Sequence, residues 1–296
     1  MTKYFGAVEA GGTKFKCAVI NEQREIIAQT RIPTTSPEAT LREVGDFFKL
    51  HKKSIGEYEA LGIASFGPLD LQPRSSTYGY ITKTPKPGWS GTNIILPLEN
   101  ILECPVILDT DVNGAALAEY HWGAGKKENI VIYITVGTGV GGGVVINGQP
   151  LHGLIHPEIG HILLPGHPDI TCTCPFHSNC AEGLVSGTAI RKIWGQSAED
   201  IEEKHEAWDI ITLVLSQLCH NLLVTFSPQK IIMGGGVLAS NRLINTIVEK
   251  TERSLGGYLS RPISASLSKI IVPTGLTEDS GLLGAFALAQ SRPHSI

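Results

Sequence analysis

Two stretches, FGAVEAGGTKFKCAVIN at residues 5–21 and IYITVGTGVGGGVVING at residues 132–148, decide the fold. Each starts as an apolar strand, turns through glycine and threonine, and returns as a second strand that contains Val-Ile-Asn. The copies lie about half a chain apart, so the repeat indicates two similar halves and excludes a short-period solenoid. The sequence therefore predicts two α/β domains that face each other.

Other elements follow from apolar patterning and from breakers such as Gly67-Pro68 and Ser227-Pro228. We predict a return strand over 143–146, closed by the hairpin dipeptide Asn147-Gly148. The domain ranges are predicted as 1–113 and 114–280, with helix 281–296 packing back on the first domain. The pattern also predicts strands over 4–10, 15–20, 25–32, 61–66, 106–108, 130–136, 231–233 and 270–273, and helices over 39–51, 115–122, 207–226, 241–254 and 280–290.

Composition excludes several classes of protein. The chain has 296 residues, 42% hydrophobic and 18% charged, which is globular usage. Its net charge of −4 argues against nucleic acid or an anionic membrane as the main partner. The most apolar stretch, residues 129–147, is broken by glycine and threonine, and Lys3 and Glu9 argue against a signal peptide. We expect a cytoplasmic protein without a membrane span.

Three glycine turns each follow a buried strand: residues 9–14 (EAGGTK), 137–143 (GTGVGGG) and 234–236 (GGG). Such turns leave backbone N–H groups free to face an anion, and Thr13 adds a hydroxyl donor. A single glycine turn is usually only a tight bend, but three in this setting indicate phosphate binding. None matches the Walker or dinucleotide pattern.

Asp111 lies just past a predicted strand and before a helix, where ligands bind in α/β sheets. Asp111 or Asn113 serves as the helix cap, or Asp111 orients an alcohol and accepts its proton in phosphoryl transfer. Asp109 remains an alternative for either role.

The segment from His156 to Glu182 holds a dense group of metal-binding residue types. In CPFHSNC the residues Cys174, His177 and Cys180 have spacing suited to one tetrahedral Zn²⁺, with His161 as the fourth ligand. Cys172 competes with Cys174. Glu158 and Glu182 bracket the group and are candidates for binding a polyol.

Taken together, these motifs resemble the ROK family (repressors, open reading frames and kinases), and within it the zinc-containing bacterial fructokinase branch. The resemblance covers nearly the whole chain and follows the order EAGGTK, SFGP, TPKPGW, DTDVNGAALAE, TVGTGVGGG, HPEIGH, CPFHSNCAEG and GGGV. It implies the actin-like ATPase (ribonuclease H-like) fold, with two α/β domains flanking a cleft. It also implies a homodimer that binds a small-molecule hexose.

The resemblance further implies roles for single residues. Asp111 is the expected catalytic base. Thr110, Glu158, His161 and Glu182 are expected around the sugar, and His161 also shares the zinc with Cys174, His177 and Cys180. The residues expected to bind ATP are Gly11, Gly12, Thr13, Lys14, Gly137, Thr138, Gly139, Gly187, Gly235 and Gly236.

The implied activity is transfer of the γ-phosphoryl group of ATP, with Mg²⁺, to the 6-hydroxyl of fructose. Much of the family has Asp where Glu9 stands and Asn where Thr110 stands, so mannose and glucose stay open as substrates. Many members also have a different cysteine spacing, which leaves the role of Cys172 open. A glucokinase, an N-acetylhexosamine kinase and a catalytically silent sugar-binding regulator stay open as alternatives. No N-terminal DNA-binding helices are expected, because the first strand is predicted from Tyr4.

Overall fold

The computed structural model describes residues 2–259, 266–276 and 280–291. The strands are β1 (Tyr4–Ala10), β2 (Lys14–Asn21), β3 (Ile26–Pro33), β4 (Ala60–Ser65), β5 (Tyr80–Ile81), β6 (Thr92–Asn93), β7 (Val106–Thr110), β8 (Ile130–Val136), β9 (Val140–Ile146), β10 (Gln149–Pro150), β11 (Lys230–Gly234) and β12 (Ile271–Pro273). The helices are α1 (Pro37–Ile55), α2 (Leu96–Leu102), α3 (Asp111–Trp122), α4 (Ala181–Val185), α5 (Gly187–Trp194), α6 (Ala207–Phe226), α7 (Asn241–Leu255), α8 (Leu267–Ile270) and α9 (Ser280–Gln290). Short 3₁₀ turns cover Ile159–His161 and Gly236–Leu238.

The two main sheets have the same strand order. One runs β3-β2-β1-β4-β7 and the other β10-β9-β8-β11-β12. In each, the first three strands are antiparallel and the remaining neighbours are parallel. The repeated glycine and threonine turn is thus one part of a repeated α/β sheet, which confirms the predicted fold class.

The described residues divide into two compact units. Unit 1 comprises those of Met1–Ala118, His152–His156 and Thr277–Ile296, and unit 2 those of Glu119–Leu151 and Pro157–Leu276. The units differ from the predicted ranges in three respects. The first part of unit 1 extends into α3 beyond residue 113, unit 1 includes the short segment His152–His156, and its C-terminal part is assigned from residue 277 rather than 281.

That segment, His152–His156, is held to the rest of unit 1 by polar contacts. His152 Nε2 lies 3.0 Å from Asp109 Oδ2. Gln72 Nε2 donates to the carbonyl oxygens of Gly153 and Leu154 at 2.5 and 2.8 Å. No spacing rule places a five-residue segment with a strand end some forty residues earlier, so only the folded chain shows this association.

Helix α9 packs on the sheet of unit 1, against β1 and β4. A side chain at Gly62 would overlap the Ala285 carbonyl, so glycine in β4 permits the close approach. Phe5 and Phe286 make an edge-to-face pair with centroids 5.5 Å apart. The predicted helix 281–296 therefore contacts the first half of the chain, and residues 292–296 lie outside the described part.

Helix α6 forms the centre of the core of unit 2. Within the described residues it is the one helix long and apolar enough, by length and composition, to cross a membrane. However, Ile211, Leu215, Leu218 and Leu222 are at most 1% exposed inside the unit. Burial of such side chains contributes about 1.5–3 kcal/mol each, which explains the apolar sequence without a membrane.

The β8–β9 hairpin begins its return earlier than predicted. Val140 already pairs with Val136, so β9 starts three residues before position 143. Glycine in this strand admits a close neighbour, because a Cβ at Gly142 would lie 2.8 Å from Ile159 Cδ1. At the far end Asn147 and Gly148 both have positive φ, 51° and 79°. These are the conformations that a tight Asn-Gly hairpin turn requires, as predicted.

Candidate active site

The corner between β7 and α3 carries the first group of candidate residues. Thr110 Oγ accepts the backbone N–H of Asn113 at 3.1 Å, which makes Thr110 the cap of α3. The predicted cap, Asp111 or Asn113, is wrong: Asp111 is already the first helical residue and Asn113 is the donor. The Thr110 oxygen is thus engaged as an acceptor, and its O–H hydrogen is left for another partner.

Asp109 is buried beneath this corner, with 3% exposure. Its Oδ1 accepts the Thr110 N–H at 2.7 Å and the Asn113 side-chain amide at 2.8 Å. Its Oδ2 lies 3.0 Å from His152 Nε2. Both oxygens are occupied, so the structure does not favour Asp109 as an acceptor of a substrate proton.

Asp111 differs from Asp109 in the kind of donors that it meets. Its carboxylate accepts local backbone N–H groups, that of Val112 to Oδ1 at 2.9 Å and its own, whereas Asp109 is bonded by the side chains of Asn113 and His152 as well. The side chain reaches solvent, yet desolvation by the surrounding protein raises the pKa of Asp111 to about 6. The charge of Glu9 also raises this pKa, while the Val112 N–H and His156 lower it. The carboxylate is therefore ionised at neutral pH with a pKa suited to general base catalysis.

The β1–β2 turn of unit 1 exposes two backbone donors. Gly11 N–H bonds the Lys14 carbonyl at 3.1 Å, and Thr34 bonds the carbonyl oxygens of Gly11 and Thr13. The N–H groups of Gly12 and Thr13 find no acceptor in the part of the chain that the structure describes. Two adjacent free N–H groups form a site that suits an anion.

Glu9 lies just before this turn and is paired. Its Oε2 is 2.8 Å from Lys16 Nζ on the neighbouring strand. A Cβ at Gly281, in the first turn of α9, would lie 2.5 Å from Glu9 Oε1. The negative charge of Glu9 is therefore stabilised by the Lys16 ammonium group and by the positive N-terminal end of α9.

The β8–β9 turn of unit 2 repeats the arrangement with other neighbours. Gly187 N–H bonds the Gly137 carbonyl at 2.7 Å, and the Thr188 hydroxyl bonds the Thr138 carbonyl at 2.8 Å. Gly187 permits this contact, since a Cβ there would lie 2.9 Å from the Gly137 oxygen. Within the described ranges the N–H groups of Thr138 and Gly139 are again unpaired.

The third glycine turn follows β11. Gly235 has φ of 96°, and a Cβ there would meet the Val136 backbone. Only glycine tolerates both conditions. Gly236 begins a 3₁₀ turn and has open space around its Cα. The turn thus places the backbone of Gly235, without a side chain, beside Val136 at the end of β8 in unit 2.

Glu182 and His161 lie together near the β8–β9 turn. Glu182 Oε2 accepts the Val140 N–H at 3.1 Å, and Oε1 is 3.8 Å from His161 Nε2. Glu158 is exposed, three residues before His161 in the same bend. The structure therefore joins two of the predicted sugar residues to the glycine turn, a link that spacing alone does not indicate.

The predicted metal ligands come together as a group. One ligand atom from each of His161, Cys174, His177 and Cys180 lies within 4.8 Å of the others. Cys174 Sγ and His177 Nδ1 are 3.4 Å apart, close to the ~3.3–3.8 Å expected between ligands of tetrahedral zinc. His161 Nδ1 is buried without a hydrogen-bond partner in the described chain, which a bound metal would correct. This two-cysteine, two-histidine set is chemically suited to Zn²⁺.

Cys172 lies beside this group but is not one of the four. A side chain at Gly183 would meet Cys172 Sγ and the Cys174 backbone, so the glycine allows α4 to approach the cysteines. Burial raises the pKa of the Cys180 thiol to about 12 in the metal-free chain. Binding of Zn²⁺ would deprotonate that thiol.

Sequence reasoning missed two buried polar centres. Glu119 is fully buried and accepts the N–H groups of Ala124, Gly275 and Leu276 at 2.7–3.1 Å, fixing two loops of unit 2. Its signal was a carboxylate directly after the small, apolar run Gly114–Ala118 of α3. The Asp109–His152 pair had none, because the two residues are distant in sequence.

Comparison with known proteins identifies the family and the relatives of the chain. A family model described as "ROK family" matches residues 5–292. The chain is 45% identical to a fructokinase of Zymomonas mobilis, covering 97% of this chain and 96% of the relative. It is 42% identical to a fructokinase of Pediococcus pentosaceus, covering 97% of both. A ROK hexokinase of Thermus thermophilus has a similar structure, with a TM-score of 0.80, 27% identity and 98% coverage of both chains.

Proposed function

The chain belongs to the ROK family, and we propose that it is an ATP-dependent fructokinase. Support comes from fructokinase relatives at 37–45% identity over nearly the full length, and from the hexokinase-like fold. The observation that carries the proposal is Asp111: it follows a strand end, its carboxylate reaches solvent and accepts only local backbone donors, and its pKa is raised.

The reaction transfers the γ-phosphoryl group of ATP to the 6-hydroxyl of fructose. Asp111 Oδ2 accepts the hydroxyl proton as the sugar oxygen forms its bond to phosphorus. The bond between that phosphorus and the β–γ bridging oxygen breaks, and ADP leaves. Positioning and charge stabilisation supply most of the rate in such a transfer.

The glycine turns provide the phosphate contacts. Gly12 and Thr13 offer unpaired N–H groups in unit 1, and Thr138 and Gly139 offer them in unit 2. Donors already aimed at an anion cost little reorganisation as charge develops. When bound, Mg²⁺ neutralises phosphate charge and is held mainly by phosphate oxygens and water.

We assign sugar recognition to Thr110, Glu158, His161 and Glu182, which offer hydrogen-bonding groups to hydroxyls. Lys14 stands at the start of β2 beside the phosphate turn, and Gly187, Gly235 and Gly236 are assigned to nucleotide binding. These roles follow the family resemblance. They are consistent with the placement of Glu158, His161 and Glu182, whose side chains are exposed or half-buried.

Zinc is proposed at His161, Cys174, His177 and Cys180. Because all four positions are protein ligands, the site is closed and structural. His161 Nδ1 is the buried, unpartnered nitrogen and Nε2 is the one toward Glu182. Zinc bound through Nδ1 would fix the ring and leave Nε2 available toward Glu182 and the sugar.

A coupled ADP-release assay over fructose, mannose, glucose and N-acetylglucosamine tests the function, with a sugar-free control. We expect the highest kcat/KM with fructose and little release without sugar. A preference for glucose or N-acetylglucosamine would replace fructokinase by one of those kinases. Failure with every hexose, in folded protein that still binds sugar, would indicate a silent regulator.

Two further properties are proposed: a homodimer and a cytoplasmic location. Both follow from the family resemblance. Light scattering coupled to gel filtration gives the mass in solution, and fractionation of the source cells gives the compartment.

A further inference from the structure

We propose that His152 is a positioning residue for catalysis, which holds Asp109 and through it aims Asp111. The inference rests on the proposed function, since it assumes that Asp111 is the base. It assigns a role to a histidine that neither the glycine turns nor the predicted sugar and zinc residues include.

Three contacts connect His152 to the corner that carries the base. His152 Nε2 donates to Asp109 Oδ2 at 3.0 Å. Asp109 Oδ1 then fixes the Thr110 N–H and the Asn113 amide. Thr110 and Asn113 in turn bond each other across Asp111. Asp111 thus lies between Thr110 and Asn113, and both of these residues donate a hydrogen bond to Asp109.

Burial makes the His152 contact necessary. Asp109 is 3% and Asn113 0% exposed, so a charged carboxylate here needs every available donor. The Asp109 contact raises the pKa of His152, so the imidazole is held closer to its charged form. Removing the ring would leave Asp109 Oδ2 without a partner and free the carboxylate to turn, which would release the corner.

His152 is also well placed to hold its own segment. Gln72 clamps the next two carbonyl groups, of Gly153 and Leu154. His152 and His156 line a small cavity of about 160 Å³ with residues of the loop after β4. The backbone that carries His152 is therefore held by Gln72, and the partly exposed ring is held by its contact with Asp109.

The test compares His152→Phe with His152→Gln, using the full-length, zinc-loaded protein. Phenylalanine keeps bulk without a donor, whereas the glutamine amide restores a donor to Asp109. For His152→Phe we expect kcat to fall ~10- to 100-fold, because misplacement of a reacting group by about 1 Å costs this much. The dissociation constant of a non-hydrolysable ATP analogue should stay unchanged, that of fructose should change less than kcat because only Thr110 of the assigned sugar residues lies in this corner, and His152→Gln should recover most of kcat.

Two controls separate positioning from general damage. His220→Phe removes a histidine of unit 2 that bonds Ser254 Oγ at 3.0 Å, and it should keep wild-type kcat. A double-mutant cycle combines Asp109→Asn with His152→Phe. Because His152 is proposed to act through Asp109, the double variant should have a kcat no lower than that of Asp109→Asn alone. Wild-type kcat in His152→Phe, or loss that His152→Gln does not rescue, would overturn the proposal.

A readout independent of turnover keeps this inference distinct from the proposed function. The Asp111 carboxyl titration can be followed by ¹³C NMR, assigned by its loss in Asp111→Asn. We expect its midpoint to move in His152→Phe and to stay in His152→Gln and His220→Phe. If no hexose is phosphorylated but the midpoint still moves, the fructokinase proposal fails and the positioning role stands. An unmoved midpoint refutes the positioning role.

Discussion

The β1–β2 turn of unit 1 and the β8–β9 turn of unit 2 occupy the same place in two sheets of the same order. Each leaves two consecutive N–H groups unpaired within the described residues. Their surroundings differ. Just before its turn, β1 of unit 1 carries Glu9, which pairs with Ala64 of β4. The matching position near the end of β8 in unit 2 is Thr135, which pairs with Gly234 of β11.

The difference extends to the outer parallel strand. At the end of β7, unit 1 places Asp109 within the strand and Asp111 just after it, while β12 of unit 2 ends at Pro273. Unit 2 instead adds the candidate metal-ligand group beyond β10 and packs the N-terminus of α5 on its glycine turn. Under the proposed function, the same sheet order serves two roles: unit 1 adds the carboxylate of Asp111 to its turn, and unit 2 adds a loop that zinc would stabilise.

The sharpest way to break this comparison is Asp111→Asn, which removes the proton acceptor from unit 1 alone. Loss of a positioned base costs ~100- to 10,000-fold in kcat. Nucleotide and sugar binding should survive, because the turns are untouched. Stopped assays and calorimetry measure both, and Asp46→Asn, an exposed position on α1, is the matched control. A turnover near that of the wild type in Asp111→Asn would show that Asp111 is not the proton acceptor.

Zinc removal tests the specialised loop of unit 2. We expect about one zinc per chain by metal analysis, and an apparent fructose KM that rises ~10- to 100-fold after chelation. Nucleotide affinity should change little, because the glycine turns do not ligate the metal. Cys174→Ser should lose the metal and Cys172→Ser should keep it. An equal loss of affinity for fructose and for nucleotide would show that the metal stabilises the whole unit. Full activity of protein without zinc would exclude the zinc site.

Gly187→Ala sharpens the comparison between the two turns. The added Cβ lies 2.9 Å from the Gly137 carbonyl, so the unit 2 turn must shift. Crowding of this kind costs roughly 1–3 kcal/mol, and the ATP KM should rise ~10-fold. Gly137→Ala meets no atom within 4 Å and should have a smaller effect. The opposite ranking in steady-state kinetics would mean that α5 does not set the turn.

The smallest effect concerns stability and pH. The raised pKa of Asp111, about 6, means that the folded state binds more protons than the unfolded state between about pH 4 and 6. Stability from this group therefore falls as pH rises through that window. Asp111→Asn should gain Tm relative to wild type as pH rises from 4 to 7, by no more than about 2–4 °C. A constant Tm difference would mean that Asp111 titrates near its ordinary value.

Much of the fold was readable from the chain because strand and helix patterns are local. The bounds of β1, β8, α6 and α9 agree with those predicted, and the half-chain repeat became a repeated sheet. Residues close in sequence also stayed together: in the part of the chain that the structure describes, the four predicted metal ligands form one group. Short spacing limits how far such side chains can separate, so sequence alone could identify them.

Long-range contacts were decided only by the tertiary structure. Thr110, and not a neighbouring carboxyl, caps α3, because the strand geometry before the helix aims its hydroxyl at Asn113 N–H. Asp109 Oδ2 meets His152 across more than forty residues of chain, while its Oδ1 accepts from Thr110 and Asn113; Asp111 reaches solvent and accepts only local backbone donors. The sequence specified which residue types were present at the strand ends. Burial and hydrogen-bond partners, which depend on segments distant in the chain, determined which carboxylate remained available for chemistry.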